Sequence, residues 1–263
     1  MIPKVIHYCW FGGKRKSKLI KQCILSWKHY LPDYEIIEWN EKNCDLTNPF
    51  VRKAYSLKKW AFVADFIRLK VLYENGGIYL DTDMMVLKSF NSLLSTLCFF
   101  GAEDEDYLNC AIIGAQKNNA FIKQCISRYE LISINNGIDW RQITIPRIVT
   151  DIYRKKYNYV LPFNKKNVHY DLVIYPINYF YPLPYKDKQD IKNYKNYLVI
   201  ESFAVHLWNE SWIEYSEFHY LRKGQYFLGL KIAVKNILTQ NKLNAPYLRK
   251  IASCIKESII KKS

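Results

Sequence analysis

Glycine and proline are scarce in this chain, with nine residues of each among 263. So few leave no room for long flexible linkers. Hydrophobic residues make up 49% of the chain and aromatic residues 16%, which excludes an intrinsically disordered protein. A chain of this length can bury one large core or two small ones. The composition therefore predicts a globular protein.

Long apolar runs are absent as well. No stretch of about 18 apolar residues is present to span a bilayer, and the amino terminus lacks the layout of a signal peptide. The seven cysteines are scattered, with no CxxC pair and no Cys/His cluster, which argues against a zinc site. Dispersed cysteines in odd number fit reduced thiols, so the sequence predicts a cytoplasmic protein.

Acidic residues are also few, since 24 Asp and Glu stand against 39 Lys and Arg and give a net charge of +15. Such a charge favours polyanions as partners: nucleic acid, an anionic membrane or phosphorylated substrates. From Arg222 onward basic residues dominate, and apolar residues recur at helical spacing. The sequence predicts a main domain at 1–221. At 222–263 it predicts a basic amphipathic helical tail, which packs on that domain or rests on the anionic inner face of the cytoplasmic membrane.

Hydrophobic periodicity indicates an alternation of short strands and helices before the tail. The predicted strands are 5–10, 34–39, 78–80, 97–102, 110–115, 168–175 and 198–207. The predicted helices are 17–30, 49–57, 60–75, 119–135 and 146–153. This alternation is typical of an α/β sheet, which binds its ligands at the carboxyl ends of strands.

The most informative stretch is 60–87, WAFVADFIRLKVLYENGGIYLDTDMMVL. It predicts a helix that is apolar nearly all round, a double-glycine stop, and a short strand that runs into two aspartates. Because strand side chains alternate, Asp81 and Asp83 are predicted to project to the same side. Two neighbouring carboxylates repel each other unless a cation lies between them. The pattern indicates a metal site, and two exposed aspartates in a strand-end turn are the alternative.

Asp65 and Arg68 lie three residues apart in the same helix and therefore share one face. An intrahelical salt bridge is one interpretation, but it would be costly in so apolar a helix. Arginine offers a planar fork for phosphate or ribose hydroxyls, and aspartate accepts hydrogen bonds from sugar hydroxyls. Together the pair suits a nucleotide.

Three further segments are candidates. Trp10 and Gly12-Gly13 follow the first strand, where the indole either stacks on a base or packs beside a tight turn. His206 stands at the end of the last strand, where it either completes the coordination of a metal or is structural. The run Asp104-Glu105-Asp106 repeats the D-x-D spacing, but its polar surroundings predict a solvated turn.

Five stretches together resemble bacterial capsule and O-antigen glycosyltransferases of the family with a DXD sugar-binding region: IPKVIHYCWFGG, ADFIRLKVLYENGGIYLDTDMMVL, TIPRIVT, YPINYFYP and AVHLWNESW. That family is related to yeast initiating α-1,6-mannosyltransferases and, more distantly, to the clostridial glucosylating toxins. The resemblance covers about residues 1 to 212. It implies a GT-A fold, a Rossmann-like α/β domain that binds a nucleotide-sugar with Mn²⁺ or Mg²⁺ and retains the anomeric configuration.

The resemblance also implies roles for individual residues. Trp10 would stack on the base, and Tyr79 would pack near the nucleotide. Asp65 and Arg68 would hold the ribose and the donor sugar or phosphate.

Further implied roles concern the metal and the diphosphate. Asp81 would contact the ribose and the metal's water shell, and Asp83 would ligate the metal. His206 and the segment 209–212 would close over the diphosphate. The possible further metal ligands are His206, Asn209 and Ser211, and Trp212 belongs to the same closing segment. Open candidates for contact with the donor sugar are Asp104, Asp106 and Asn109.

The implied activity is transfer of a hexose or N-acetylhexosamine from a UDP-linked sugar to a lipid-diphosphate-linked saccharide in O-antigen or capsule biosynthesis. Two alternatives stay open: a toxin-like enzyme that glycosylates a protein, and a basic nucleic-acid-binding protein. The second is disfavoured because no nucleic-acid motif is present. A phosphohydrolase built on Asp81 and Asp83 would usually need more acidic or histidine ligands.

Overall fold

The structure, a computed structural model, describes residues 1–134, 138–209, 216–240 and 243–260. It divides into two compact units, Met1–Asn209 and Glu210–Ser263. The predicted domain boundary, between residues 221 and 222, falls within the second of these units. Two predicted site residues, Ser211 and Trp212, lie outside the described residues.

The first unit is built from helices and short strands in alternation. Its helices are α1 (Lys18–Tyr30), α2 (Pro49–Ser56), α3 (Trp60–Asn75), α4 (Ala120–Glu130) and α5 (Ile145–Tyr157). Its strands are β1 (Val5–Cys9), β2 (Glu35–Trp39), β3 (Gly77–Leu80), β4 (Met84–Val86), β5 (Cys98–Ala102), β6 (Leu108–Ala115), β7 (Asn167–Val168), β8 (Val173–Tyr175) and β9 (Ala204–His206). Segments of 3₁₀ helix occur at Asn91–Leu93, Ile177–Tyr179 and Tyr185–Tyr197.

Seven of the strands form one mixed sheet in the order β2-β1-β3-β6-β5-β8-β7. β1 is parallel to β2 and β3, whereas β6 is antiparallel to both β3 and β5. The carboxyl ends of β1, β3 and β5 therefore lie at one edge of the sheet, next to the start of β6. The predicted α/β class is confirmed, and this edge is where such sheets bind ligands.

The central strands are covered on both faces. Every residue of β3, β5 and β6 is buried, as expected for strands with helices or loops on either side. One core contains the apolar side of α3 together with α2, α4 and α5. The other contains Trp27 of α1, which is fully buried and donates its indole N–H to the carbonyl oxygen of Met84 at 2.7 Å.

A double glycine connects α3 to β3, with Gly76 as the single residue between the helix and the strand. Gly76 and Gly77 have φ angles of +68° and +109°. A Cβ on Gly77 would lie 2.7 Å from the carbonyl oxygen of Val5 and 2.9 Å from Nε2 of His7, so only glycine fits. His7 Nε2 donates to the carbonyl oxygen of Gly76 at 2.8 Å, and Nδ1 accepts from the indole of Trp39 at 3.0 Å.

Several sequence predictions differ from the structure. β3 ends at Leu80, and residues 81–83 form a turn in which the N–H of Met84 donates to the carbonyl of Asp81 at 3.0 Å. The argument from strand alternation for the two aspartates was therefore wrong. The predicted strand 168–175 is instead the antiparallel pair β7 and β8, and only Ala204–His206 of the predicted strand 198–207 is extended in a ladder.

The three-residue strand β4 was not predicted. It pairs antiparallel with β9, and Met84 stands opposite His206. Strands as short as these take their conformation from the partner strand, and their own sequences are too short to show a period.

The second unit contains α6 (Glu217–Arg222), α7 (Tyr226–Gln240) and α8 (Ala245–Ile260). α6 packs against both longer helices, and a Cβ on Gly229 of α7 would lie 2.7 Å from the side chain of Leu221. The carboxylate of Glu217 accepts hydrogen bonds from Asn236 and Tyr247. Among the helices in the described part of the chain, none is sufficiently long and apolar to cross a membrane.

Candidate active site

The guanidinium of Arg68, on α3, is bonded on every side. Nη2 lies 2.9 Å from Oδ1 of Asp65 and 3.3 Å from Oδ1 of Asp81. Nη1 donates to the carbonyl oxygen of Cys110 at 2.7 Å and to Oδ2 of Asp81 at 3.4 Å, and Nε donates to the carbonyl oxygen of Ala64 at 3.3 Å. The fork is therefore occupied by protein acceptors, and its main effect is to orient Asp81.

Tyr79 holds Asp81 from a second direction. Its hydroxyl donates to Oδ1 of Asp81 at 2.9 Å, and its ring lies 4.5 Å from the guanidinium carbon of Arg68. The side chain of Asp81 is 29% exposed, whereas that of Arg68 is 6% exposed. Asp81 is thus fixed by buried groups and still reachable from solvent.

Asp65 forms the intrahelical ion pair with Arg68 that the sequence offered as one interpretation. Burial raises the pKa of Asp65 to about 7, although Arg68 acts in the opposite direction. The backbone N–H of Ile145, at the start of α5, also acts to lower the pKa of Asp65.

Asp83 has a separate set of partners. Its Oδ1 lies 3.1 Å from Nε2 of His206, and its Oδ2 accepts the backbone N–H of Asn209 at 2.8 Å. The N–H of Leu207 donates to the carbonyl oxygen of Asp83 at 3.0 Å. Trp208, between them, has φ of +48°, a conformation that is rare for a bulky residue. This turn brings residues 206–209 around the carboxylate.

Asp83 and His206 each favour the charged form of the other. Burial acts to raise the pKa of Asp83, but the imidazole of His206 and the N–H of Asn209 hold it below its ordinary value. Burial likewise acts to lower the pKa of His206, but Asp83 outweighs it and the pKa is raised. Nδ1 of His206 is buried and has no hydrogen-bond partner among the described residues.

Trp10 directly follows β1, at the carboxyl end of that strand, and packs against the core that contains Trp27. Burial raises the pKa of the preceding thiol, Cys9, and the charges of Arg68 and Asp81 also act on it. The indole of Trp10 is partly exposed, its N–H donates to the carbonyl oxygen of Lys14 at 2.7 Å, and the ammonium of Lys16 lies 5.2 Å from the ring. One edge of the indole is therefore fixed by the protein. The base-stacking role stays a prediction.

The acidic run after β5 is an exposed turn, as its composition predicts. Asp104 accepts the backbone N–H groups of Asp106 and Tyr107, both at 2.8 Å. Glu103, just before it, was not recognised as a site residue from the sequence. It accepts a 2.6 Å hydrogen bond from Nδ2 of Asn109, and burial raises its pKa. Its position directly after a buried strand was the available signal.

The residues fit a divalent metal in part. No group of three or more His, Cys, Asp or Glu side chains placed to hold a metal occurs within the described ranges. Asp83 and His206 offer one carboxylate and one imidazole side by side, and the unpartnered Nδ1 shows that this imidazole is incompletely satisfied. Mg²⁺ and Mn²⁺ commonly take one or two protein carboxylates and complete their shell with substrate phosphates and water. The donor set is compatible with such a site.

Comparison with known proteins gives a match to one protein family. Residues 17–100 match the family described as "Glycosyltransferase sugar-binding region containing DXD motif". The matched stretch contains the whole Asp65, Arg68, Tyr79 and Asp81 network, and it contains Asp83.

Curated relatives are also glycosyltransferases. The chain is 28% identical over 159 residues to lactosylceramide 4-alpha-galactosyltransferase of Mus musculus, which covers 56% of this chain and 41% of that protein. It is 24% identical over 146 residues to inositol phosphoceramide mannosyltransferase 3 of Schizosaccharomyces pombe, covering 51% and 39%. The match thus spans about two fifths of each relative. The predicted enzyme class, glycosyltransferase, agrees with the family match and with these names.

Two solved glycosyltransferases are similar in structure. The PaToxG glycosyltransferase has a TM-score of 0.44 and 18% identity, and the match covers 60% of this chain and 70% of that one. A glycosyltransferase involved in glycosylation of the major capsid of PBCV-1 has a TM-score of 0.43 and 12% identity, with 79% and 95% covered.

Proposed function

We propose that the protein is a metal-dependent, retaining glycosyltransferase of the GT-A type that moves a hexose or N-acetylhexosamine from a UDP-linked donor to a saccharide acceptor in bacterial polysaccharide biosynthesis. The observation that carries the proposal is the pair of aspartates after β3, which lies in a stretch that matches a DXD sugar-binding family. Arg68 contacts Asp81, and His206, from outside that stretch, contacts Asp83.

Each residue of the site has a task in this proposal. Asp81, oriented by Arg68 and Tyr79, accepts hydrogen bonds from the ribose, while Trp10 presents its partly exposed ring to the base. Asp83 and His206 would hold the cation, as the donor set allows. A bound Mn²⁺ or Mg²⁺ supplies Lewis-acid stabilisation of the charge on the departing nucleoside diphosphate. The acceptor hydroxyl enters on the face that the diphosphate leaves.

A donor panel tests this function. Wild-type protein is incubated with UDP-Gal, UDP-Glc, UDP-GalNAc, UDP-GlcNAc and GDP-Man, with Mn²⁺ and with EDTA, and nucleoside diphosphate release is measured. We expect one UDP-sugar to be hydrolysed, the activity to be lost in EDTA and to return with added metal. If calorimetry detects no donor binding and no donor is hydrolysed, the proposed function is wrong.

We further propose a lipid-diphosphate-linked saccharide as the acceptor and a peripheral location on the inner face of the cytoplasmic membrane. The names of both relatives given above contain a sphingolipid acceptor, which supports an acceptor carried by a lipid. The second unit adds an exposed apolar stripe along α7, formed by Phe227, Leu230, Val234 and Leu238, with exposures of 85%, 43%, 54% and 79%. The exposed Lys231 and Lys235 lie on the same helix, so it has the composition of an interfacial helix.

Surface substitutions on α7 test the membrane proposal better than truncation near residue 223, because α6 packs against the helices that truncation would remove. Wild-type protein should float with vesicles rich in phosphatidylglycerol at low salt. The double variant Phe227→Ser, Leu238→Ser should float several-fold less, because it removes two apolar side chains from the stripe. Leu131→Ser, at a 75% exposed position in the first unit, is the matched control. Equal flotation of all three proteins contradicts the proposal.

A further inference from the structure

Glu103 occupies the same kind of position as Asp81. β3 ends one residue before Asp81, and β5 ends one residue before Glu103. Both strands are antiparallel to β6, which lies between them, so both carboxylates emerge at the same edge of the sheet. Neighbouring strands are about 4.8 Å apart, so β3 and β5 lie roughly 10 Å apart across the sheet. Along β6, β3 ends opposite Ile112 and β5 ends opposite Leu108.

The side chain of Glu103 is held in one orientation. Nδ2 of Asn109 donates to Oε2 of Glu103 at 2.6 Å, and Oδ1 of Asn109 accepts the backbone N–H of Ala111 at 2.7 Å. Because Asn109 is itself buried and bonded at both ends of its amide, it works as a rigid support. The N–H of Glu103 donates to the carbonyl oxygen of Tyr107 at 2.9 Å, which fixes the backbone as well.

One oxygen of Glu103 is left open. Oε1 has no hydrogen-bond partner among the described residues, whereas both oxygens of Asp81 and of Asp83 accept bonds. The carboxylate lies at the same end of the sheet as Asp81, where β3 runs into the two aspartates. A partly buried carboxylate with one fixed and one open oxygen is prepared to accept a hydrogen bond from a ligand.

The order of the strands shows which part of the ligand would reach Glu103. The order of the strands across the sheet is β1, β3, β6 and β5. Trp10, after β1, therefore comes first, Asp81, after β3, second and Glu103, after β5, last. If the base lies at Trp10 and the diphosphate at the aspartates, the remaining group of a nucleotide-sugar extends toward β5. A sugar presents hydroxyl donors, which match an acceptor-only carboxylate.

We propose that Glu103 binds the transferred sugar of the donor by accepting a hydrogen bond from one of its hydroxyl groups at Oε1, and that Asn109 is the positioning residue for this carboxylate. The proposal rests on the proposed function. It adds a residue that selects among donor sugars, because a site built to bond a hydroxyl discriminates against sugars that lack it.

The test compares Glu103→Gln with wild-type protein and with Glu105→Gln, a control at an exposed position of the same loop. Glutamine can keep its carbonyl oxygen toward Asn109 and then presents an amide NH₂ group, which donates and does not accept, in place of Oε1. Calorimetry measures the affinity for the UDP-sugar found in the donor panel and for UDP alone. We expect Glu103→Gln to weaken the UDP-sugar by about tenfold to a hundredfold and to leave UDP unchanged, with Glu105→Gln like wild type for both.

Donor analogues that each lack one hydroxyl identify the bonded group. In wild-type protein one analogue should bind about tenfold to a hundredfold more weakly than the complete donor, and in Glu103→Gln that penalty should disappear. Equal loss of UDP and UDP-sugar affinity in the variant, or an unchanged penalty for every analogue, overturns the proposal. In either case wild-type protein still hydrolyses its donor. Absence of donor binding by wild-type protein instead removes the proposed function, and this inference with it.

Discussion

The surroundings of Asp81 come from a stretch of chain close to it in sequence, whereas those of Asp83 come from a distant one, residues 206–209. Asp81 is held by Arg68 and Tyr79, the first of them 13 residues away. Asp83 is held by His206, 123 residues away, and by the backbone of Asn209. The first set is saturated with hydrogen bonds, whereas the second leaves Nδ1 of His206 without a partner in the described part of the protein.

This difference suits the two carboxylates to different roles. A carboxylate whose supports are saturated presents a fixed acceptor, which suits ribose hydroxyls. In the second set, only the contact between Asp83 and His206 has to open before both side chains can contact a cation. The comparison predicts that substitutions around Asp83 act on metal-dependent steps, and that substitutions around Asp81 act on both stability and orientation.

The largest effect is expected for Asp83→Ala. Because it removes the only carboxylate beside His206 in the described chain, donor hydrolysis should fall by about a thousandfold, and Mn²⁺-dependent UDP binding should be lost. Circular dichroism should show a retained fold. Asp151→Ala, at an exposed position of α5, is the matched control and should keep full activity. Near wild-type turnover of Asp83→Ala at saturating Mn²⁺ contradicts the role of this aspartate.

Arg68→Lys should have the second largest effect. Lysine cannot reproduce the fork that contacts Asp81, Asp65 and the carbonyl of Cys110. We expect donor hydrolysis to fall roughly a hundredfold and the free energy of unfolding to fall by about 2 kcal/mol, because buried acceptors lose their donors. Urea unfolding and steady-state kinetics measure both, with the exposed Arg52→Lys as control. Full activity in Arg68→Lys would mean that the orientation of Asp81 is not important.

The pKa values of two buried histidines should lie on opposite sides of the ordinary value of 6.5. Burial lowers the pKa of His7, whose ring nitrogens are both bonded to neutral groups, whereas Asp83 raises the pKa of His206. Metal-free protein, followed by imidazole NMR shifts, should show His7 titrating below pH 6.5 and His206 above it. In Asp83→Ala the pKa of His206 should fall, and that of His7 should not change.

The same shifts set the sign of the pH effect on stability. Above pH 6.5 His7 is neutral in both the folded and the unfolded state. As the pH falls below 6.5, the unfolded state takes up a proton that the folded state resists, so the stabilisation from neutral His7 is lost. His206 behaves in reverse, and its contribution is lost as the pH rises through its raised pKa. Unfolding curves of His7→Gln that retain the acid-side slope of wild type would contradict the first assignment.

The smallest effect is expected for Tyr79→Phe. It removes one hydrogen bond to Asp81 but leaves the ring under Arg68 and the guanidinium bonds intact. A loss of about 1 kcal/mol in transition-state stabilisation, roughly fivefold in kcat/KM, is expected. Tyr159→Phe, whose hydroxyl donates to the carbonyl of Pro162 at the surface, should not change the rate. A larger loss than in Arg68→Lys would reverse the ranking of the two supports.

Much of the network around Asp81 could be predicted from the sequence because the residues that form it are close to one another in the chain. The i, i+3 spacing places Asp65 beside Arg68, and the double glycine indicates the turn that brings β3 back along α3. The turn at 81–83 was not predictable in the same way. An apolar strand before the motif and an apolar strand after it have the same composition as one continuous strand, so the break was hidden.

The contacts of Asp83 could not be predicted from hydrophobic periodicity. His206 was recognised as a candidate, but its pairing with Asp83 follows from the register of β4 and β9, which three-residue strands do not encode in their own pattern. Glu103 was missed for a related reason. The neighbouring acidic run drew attention to Asp104 and Asp106, which are exposed, while burial and Asn109 distinguish Glu103 only in three dimensions.

The sequence separations of Arg68 from Asp81 and of Asp83 from His206 also predict the order in which these contacts form during folding. Closing the loop between Asp83 and His206 costs about 2 kcal/mol more conformational entropy than closing the loop between Arg68 and Asp81, by the logarithmic dependence on loop length. We therefore expect the contacts between Arg68 and Asp81 to form early in folding and the pairing of β4 with β9 to form late. Pulsed hydrogen exchange should protect the N–H of Asp81, which bonds to Ala111, before that of Leu207, which bonds to Asp83. A nascent chain would thus complete the network of Arg68 and Asp81 before the pair of Asp83 and His206 can form.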